Sequence, residues 1–221
     1  MPEPTLDAAY GGALAAIFLL LQFGLLRSPV VDDQVKIYIA QSLAAAVYTA
    51  AAGIRVGGLD LYVLAILTVA FKAITIPLLL GALTRHLDDA AKEVPLALNV
   101  SLTLIVGVIL TAIAYITTTP LHVSGVLLPD AALAVAMAVS LLSLLLIATR
   151  LNSITQFIGF LTLDNAVYFG TVAIASGLPL VLGILIFFPL LIAVIVFAIL
   201  VRLLERRGAT LAIDHLTDLR G

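Results

Sequence analysis

Two ionisable side chains, Lys72 and Asp164, lie in the middle of long apolar stretches. Lys72 is 12 residues from Asp60 and 13 from Arg85, roughly 18 Å from each along a helix, and Asp164 is similarly central. A charge in lipid costs at least ~2.5–3.5 kcal/mol, so such residues face protein or water. A lysine and a carboxylate at equal depth can exchange protons or ions; alternatively, they form a static salt bridge that fixes helix register. Contact between the two is a hypothesis that the sequence leaves open.

Uncharged polar residues near these two at helical spacing could complete a hydrogen-bonded or hydrated path, because positions three and four apart share a helical face. Pro77 predicts a kink after Lys72, since proline lacks a backbone donor and would free the carbonyl of Ala73. The supporting roles are assigned to Thr68 and Thr75 beside Lys72, and to Tyr168, Asn165 and Gln156 on the helix of Asp164.

Seven apolar stretches of 19 to 24 residues must position these side chains. The chain of 221 residues is 63% hydrophobic and 11% charged, whereas soluble domains are about a quarter charged. Each stretch is long enough to cross a bilayer, which predicts an all-α, polytopic membrane protein, a single membrane domain over 1–221. The stretches are 8–26, 35–53, 61–83, 95–117, 131–149, 155–176 and 178–201. The glycines inside them favour close helix packing: Gly24, Gly107, Gly159 and Gly170.

The basic residues outside the stretches divide unevenly between the two sides of the predicted bundle. Nine Lys and Arg residues fall on one side, and Arg55 alone falls on the other. The nine include Lys36, at the start of the stretch 35–53, and Arg150, in the connection between 131–149 and 155–176. This asymmetry predicts an outside N-terminus and a cytoplasmic C-terminus. The segment before the first stretch is acidic, so we expect a retained helix rather than a secretory signal.

Composition excludes several functions. The chain has no cysteine, so it cannot hold a thiolate-bound iron–sulfur cluster, and we expect no cofactor in this chain and no metal site. No basic patch suggests a nucleic acid partner. Any redox chemistry would belong to another subunit.

The region 150–170 resembles the hydrogenase-4 component E family of membrane subunits. The residues that carry this resemblance are Asn152, Gln156, the Ile-Gly-Phe-Leu run at 158–161, Asp164 and Asn165. The stretch 67–83, with Lys72 and Pro77, looks like the family's lysine-containing third helix, and 214–221 is also similar. Within the whole chain, 1–120 would form four N-terminal helices, 121–205 a part similar to the three-helix channel subunit of respiratory complex I, and 206–221 a cytoplasmic tail.

The resemblance implies a non-catalytic subunit of a complex-I-like assembly in a prokaryotic cytoplasmic (inner) membrane. The implied partners are antiporter-like membrane subunits, a membrane anchor subunit and a cytoplasmic redox arm, such as a nickel–iron hydrogenase with iron–sulfur subunits. Asp164 would be the protonatable acid of a proton or sodium path and Lys72 its coupled base.

The chain departs from the family at two points. The family usually has glutamate where this chain has Asp164, and the last helix of its members commonly carries an acid that 178–201 lacks. The second departure puts a path through the last helix in doubt. Two alternatives therefore stay open: a purely structural membrane subunit, and a stand-alone secondary ion transporter.

Overall fold

A computed structural model describes residues 6–84, 97–121 and 131–174, together with Ile195 and Ile199. Every regular element in these residues is a helix. The α-helices are α1 (Leu6–Arg27), α2 (Val31–Val56), α3 (Leu59–Thr68), α4 (Ile76–Thr84), α5 (Val100–Thr118), α6 (Ala132–Thr149) and α7 (Ser153–Ile174). A π-helical segment, Val69–Thr75, joins α3 to α4, and a 3₁₀ turn, Thr119–Leu121, extends α5.

The described helices are compatible with a membrane protein. Four of them are long and apolar enough to cross a bilayer: Val31–Val56, Leu59–Gly81, Val100–Leu121 and Ser153–Ile174. Two shorter apolar helices, Gly11–Arg27 and Leu133–Thr149, pack with them. These helices coincide with the first six predicted stretches, and the all-helical prediction is confirmed for this part of the chain. The stretch 178–201, except for the helical residues Ile195 and Ile199, and the tail 206–221 lie outside the described residues.

Local sequence signals set where several helices begin and end. Gly57 ends α2 with φ of 73°, a conformation that glycine adopts without steric cost, and its N–H donates to the Gly53 carbonyl. The Asn99 side chain accepts the Leu102 N–H at 2.7 Å and caps the start of α5. The predicted stretch 95–117 thus begins too early, because Asn99 is a cap rather than a residue within the helix.

Two glycines let α7 lie close against α6. A Cβ atom added at Gly159 would come within 2.7 Å of Ile147 Cγ1, and one at Gly170 within 2.8 Å of the Ala136 Cβ. Both distances are shorter than a normal carbon–carbon contact, so any larger residue would push the helices apart. The predicted packing role of these two glycines is confirmed, and this close approach fixes the depth and orientation of the polar side chains on α7.

Candidate functional site

The structure brings Lys72 and Asp164 together across two helical elements. The Lys72 ammonium, fully buried, forms an ion pair with Asp164 Oδ2. The Asp164 side chain remains 17% exposed. The hypothesis that these two residues touch is therefore confirmed, although they are 92 positions apart in the sequence.

Lys72 lies in the π-helical segment rather than in a regular α-helix. The Ile76 N–H donates to the Phe71 carbonyl, five residues back, just before Pro77. In a straight α-helix the ring of Pro77 would clash with the carbonyl four residues earlier. The disruption predicted at Pro77 is thus present as a widened turn, a feature that often occurs at functional sites.

Tyr168 connects the buried ammonium to two threonines. The Lys72 Nζ lies 4.7 Å from the centre of the Tyr168 ring, within the range of a cation–π interaction. The Tyr168 hydroxyl lies 2.9 Å from Thr49 Oγ1 on α2 and also interacts with the Thr68 side chain. Tyr168 and Thr68, both assigned from the sequence, are therefore next to the ion pair, and Thr49 joins them.

A second polar group, which we call the amide cluster, adjoins Asp164 through its neighbour Asn165. The Asn165 Nδ2 donates to Ser42 Oγ at 3.0 Å and lies 3.4 Å from Gln41 Oε1. The Gln41 Nε2 donates to Gln22 Oε1 at 2.9 Å. These four side chains, from α1, α2 and α7, are fully buried, and together they form a continuous hydrogen-bonded chain.

Gln41, Ser42 and Thr49 stand out in the sequence as polar residues of the second apolar stretch, but neither they nor Gln22 are assigned to the site from the sequence. A glutamine in an apolar stretch is a usable signal, because a buried amide requires a hydrogen-bonding partner. Only the packing of α1, α2 and α7 reveals which partner each of them has.

Thr75 and Gln156 do not join the ion pair. The Thr75 hydroxyl donates to the Ala70 carbonyl at 2.8 Å, and the residue is only partly buried. The reason is the π segment: its wider turn moves a residue three positions beyond Lys72 off the shared face. The Gln156 Nε2 donates to the Arg150 carbonyl at 2.8 Å at the start of α7, about 12 Å along the helix from Asp164.

Arg150 is a second buried cation, located where α6 ends. Its guanidinium is fully buried and donates through Nη2 to the Leu26 carbonyl, with the Leu25 carbonyl 3.5 Å away. These are orphan carbonyls at the C-terminal end of α1, where a positive charge is favourable. Burial lowers the pKa of Arg150 to about 10, so the group stays charged at neutral pH. No acidic side chain pairs with it in the described part of the chain.

The chemistry that this pair permits is the transfer of a proton between its two partners. A lysine–carboxylate pair has a charged form and a neutral form that differ by the transfer of one proton. Among the described residues, no group of three or more His, Asp or Glu is placed to hold a metal ion.

No family model matches the chain, and no solved structure matches it. The chain is similar to an uncharacterized protein of Mycobacterium tuberculosis (strain ATCC 25618 / H37Rv), Rv0085, with 29% identity over 214 residues. The match covers 97% of this chain and 95% of that protein. The similarity is thus spread over the whole length of both chains and is not confined to the helices that hold the ion pair.

Proposed function

We propose that this chain is a non-redox membrane subunit that moves protons or sodium ions through its Lys72–Asp164 pair. The observation that carries the proposal is a fully buried ammonium paired with a carboxylate in the middle of apolar helices, with the Tyr168–Thr49 contact and the buried amide cluster next to it. Replacing a buried ion pair with apolar residues is often neutral or stabilising, so stability alone is a weak reason to keep one.

The polar groups around the pair extend in two directions. On one side, Tyr168 and Thr49 lead from Lys72 towards α2. On the other, Asn165 connects the helix of Asp164 to Gln41 and so to α1. In the proposed function, Asp164 accepts and releases the ion, Lys72 compensates its charge, and these two groups of polar residues hold the water or side chains along which the ion passes.

The parent assembly in this proposal is a complex-I-like energy-converting complex of the hydrogenase-4 or formate hydrogenlyase type. Support for it comes from the resemblance around 150–170 and 67–83. The chain would then have seven transmembrane helices, an outside N-terminus and a cytoplasmic C-terminus in a prokaryotic inner membrane. Its partners would be antiporter-like subunits, a membrane anchor subunit and a cytoplasmic redox arm.

The test is ion translocation by the whole assembly in inverted membrane vesicles. Asp164→Asn keeps the size and polarity of the side chain but removes its charge, and Lys72→Met removes the ammonium. We expect each variant to lower ion translocation per redox turnover by roughly tenfold or more, because the relay loses one protonatable group. The amount of assembled complex is measured in the same vesicles by affinity purification of the tagged chain.

Thr171→Val is the matched control, since Thr171 is also on α7 but its hydroxyl donates to the Val167 carbonyl of its own helix. It should pump at the parental rate. If the assembled Asp164→Asn complex pumps ions at the parental rate, the chain is a structural subunit and the proposed ion path is wrong. A chain that purifies alone and transports ions in liposomes would instead be a stand-alone transporter.

A further inference from the structure

A pocket with basic residues lies at the turn between α1 and α2, away from the ion pair. It is an open cavity of about 390 Å³, and its polar side is lined by Arg27, Ser28, Asp33 and Lys36. The turn beneath it is fixed, because the buried Gln34 donates to the Ser28 carbonyl at 2.9 Å. This basic pocket is therefore a formed feature of the turn.

Of the charged side chains that line the basic pocket, two are cations and one is a carboxylate, and the exposed Asp32 lies close enough to Lys36 to act on its charge. Lys36 Nζ bonds to Asp33 Oδ1 at 2.9 Å, and both side chains are exposed. Arg27 is exposed and forms no ion pair with any side chain in the described part of the chain. Its guanidinium is the group most available to an anion, and a phosphate accepts the paired N–H bonds of arginine well.

A separate apolar groove lies further along α2, on the helical face that Lys36 shares. It is an open cavity of about 500 Å³, lined by Leu43, Val47 and Ala50 from α2 and by Ile66, Val69 and Ala70 from the facing elements. Lys36, Leu43, Val47 and Ala50 are spaced by seven, four and three residues, which places them on one face of the helix. From Lys36 to Val47 is about 16 Å along α2, close to the ~15 Å depth of one leaflet of hydrocarbon.

We infer that the basic pocket and the apolar groove together bind one anionic phospholipid, with its phosphate at Arg27 and an acyl chain along Leu43, Val47 and Ala50. With two cations and one carboxylate in its lining, the pocket favours a lipid with a net negative charge. The groove is lined almost wholly by aliphatic side chains, which an acyl chain can cover without leaving a polar group unpaired. Neither feature is part of the proposed ion path.

The experiment is native mass spectrometry of the purified full chain in detergent, titrated with phosphatidylglycerol or with phosphatidylcholine of the same acyl chains. We expect phosphatidylglycerol to bind about fivefold more tightly, the contribution of one basic residue near a charged headgroup. Arg27→Gln should abolish this preference and bind both lipids equally. Excess inorganic phosphate should not displace phosphatidylglycerol, because it cannot fill the groove.

A second variant tests the groove separately from the charge. Ala50→Phe places a ring in the groove and should weaken the binding of both lipids. Ile54→Phe adds a ring at an exposed position of the same helix that does not line the groove, and it should bind lipid as the parent does. Equal binding of the two lipids to the parent chain, or displacement of phosphatidylglycerol by phosphate, would overturn the inference. The inference would also be overturned if the two phenylalanine variants bound lipid equally well, and the groove would then be a contact surface for a helix of another protein.

Discussion

Two fully buried cations in this chain, Lys72 and Arg150, are held by opposite kinds of partner. Lys72 pairs with the carboxylate of Asp164 at the middle of the described bundle. Arg150 instead meets the carbonyls of Leu25 and Leu26 at the end of α1. A carboxylate can take up a proton, whereas a carbonyl cannot, so only in the first arrangement can a proton pass between the two partners. The chemistry of the partner, rather than the burial of the charge, therefore decides whether proton transfer is available.

The largest loss of stability should follow from removing the partner of Lys72, and this loss should distinguish Lys72 from Arg150. Asp164→Ala leaves a buried ammonium without its counter-charge, and we expect the free energy of unfolding in detergent to fall by about 3–5 kcal/mol. The double variant Lys72→Met with Asp164→Leu should recover most of that loss, because no charge then stays buried. Equal destabilisation of the single and double variants would mean that packing, rather than charge, dominates this region.

Arg150→Met is expected to have a smaller effect on stability and a different effect on function. It removes charged hydrogen bonds to the end of α1, and we expect a loss of about 1.5–3 kcal/mol. Ion translocation per assembled complex should stay at the parental level, because the partners of Arg150 in the described part of the chain are carbonyls, which do not take up a proton. Both quantities are measured on the same preparation, so a variant that assembles in full but pumps poorly would break the distinction between the two cations.

The pKa of Arg150 sharpens this expectation. Burial lowers that pKa to about 10, below its value in the unfolded chain. Loss of the proton would therefore favour the folded state only above about pH 10, and between pH 6 and 9 the group is charged in both states. The stability difference between the parent and Arg150→Met should be constant across that range, which unfolding curves at several pH values can check.

Much of the described fold and the centre of the site could be predicted from the sequence. A charge in an apolar stretch is a strong signal, and it identified both Lys72 and Asp164. Helical spacing from Asp164 also identified Tyr168. These predictions succeed because they need only the cost of a charge in an apolar environment and the period of one helix.

The predictions that failed depend on geometry that the sequence pattern does not contain. Thr75 was misplaced because spacing arguments assume a regular α-helix, whereas the chain is π-helical at that point. Arg150 was predicted to be a connecting charge and is instead buried, because the end of α1 supplies carbonyls to it. Gln22 and Gln41 were not assigned because an uncharged amide barely changes the hydropathy of its stretch, and their pairing depends on how α1 and α2 pack.

The smallest expected effect tests whether the hydroxyl beside Lys72 belongs to the ion path or only to the packing. Tyr168→Phe keeps the ring 4.7 Å from Lys72 Nζ but removes the hydroxyl that lies 2.9 Å from Thr49 Oγ1. The same hydroxyl also interacts with Thr68, and each hydrogen bond contributes about 0.5–1.5 kcal/mol, so the unfolding free energy should fall by about 1–3 kcal/mol. Thr49→Val removes one of these two partners and should cost about half as much. If the hydroxyl is part of the ion path, Tyr168→Phe will slow ion translocation several-fold despite this small loss of stability. Translocation at the parental rate would restrict the path to Asp164 and the amide cluster.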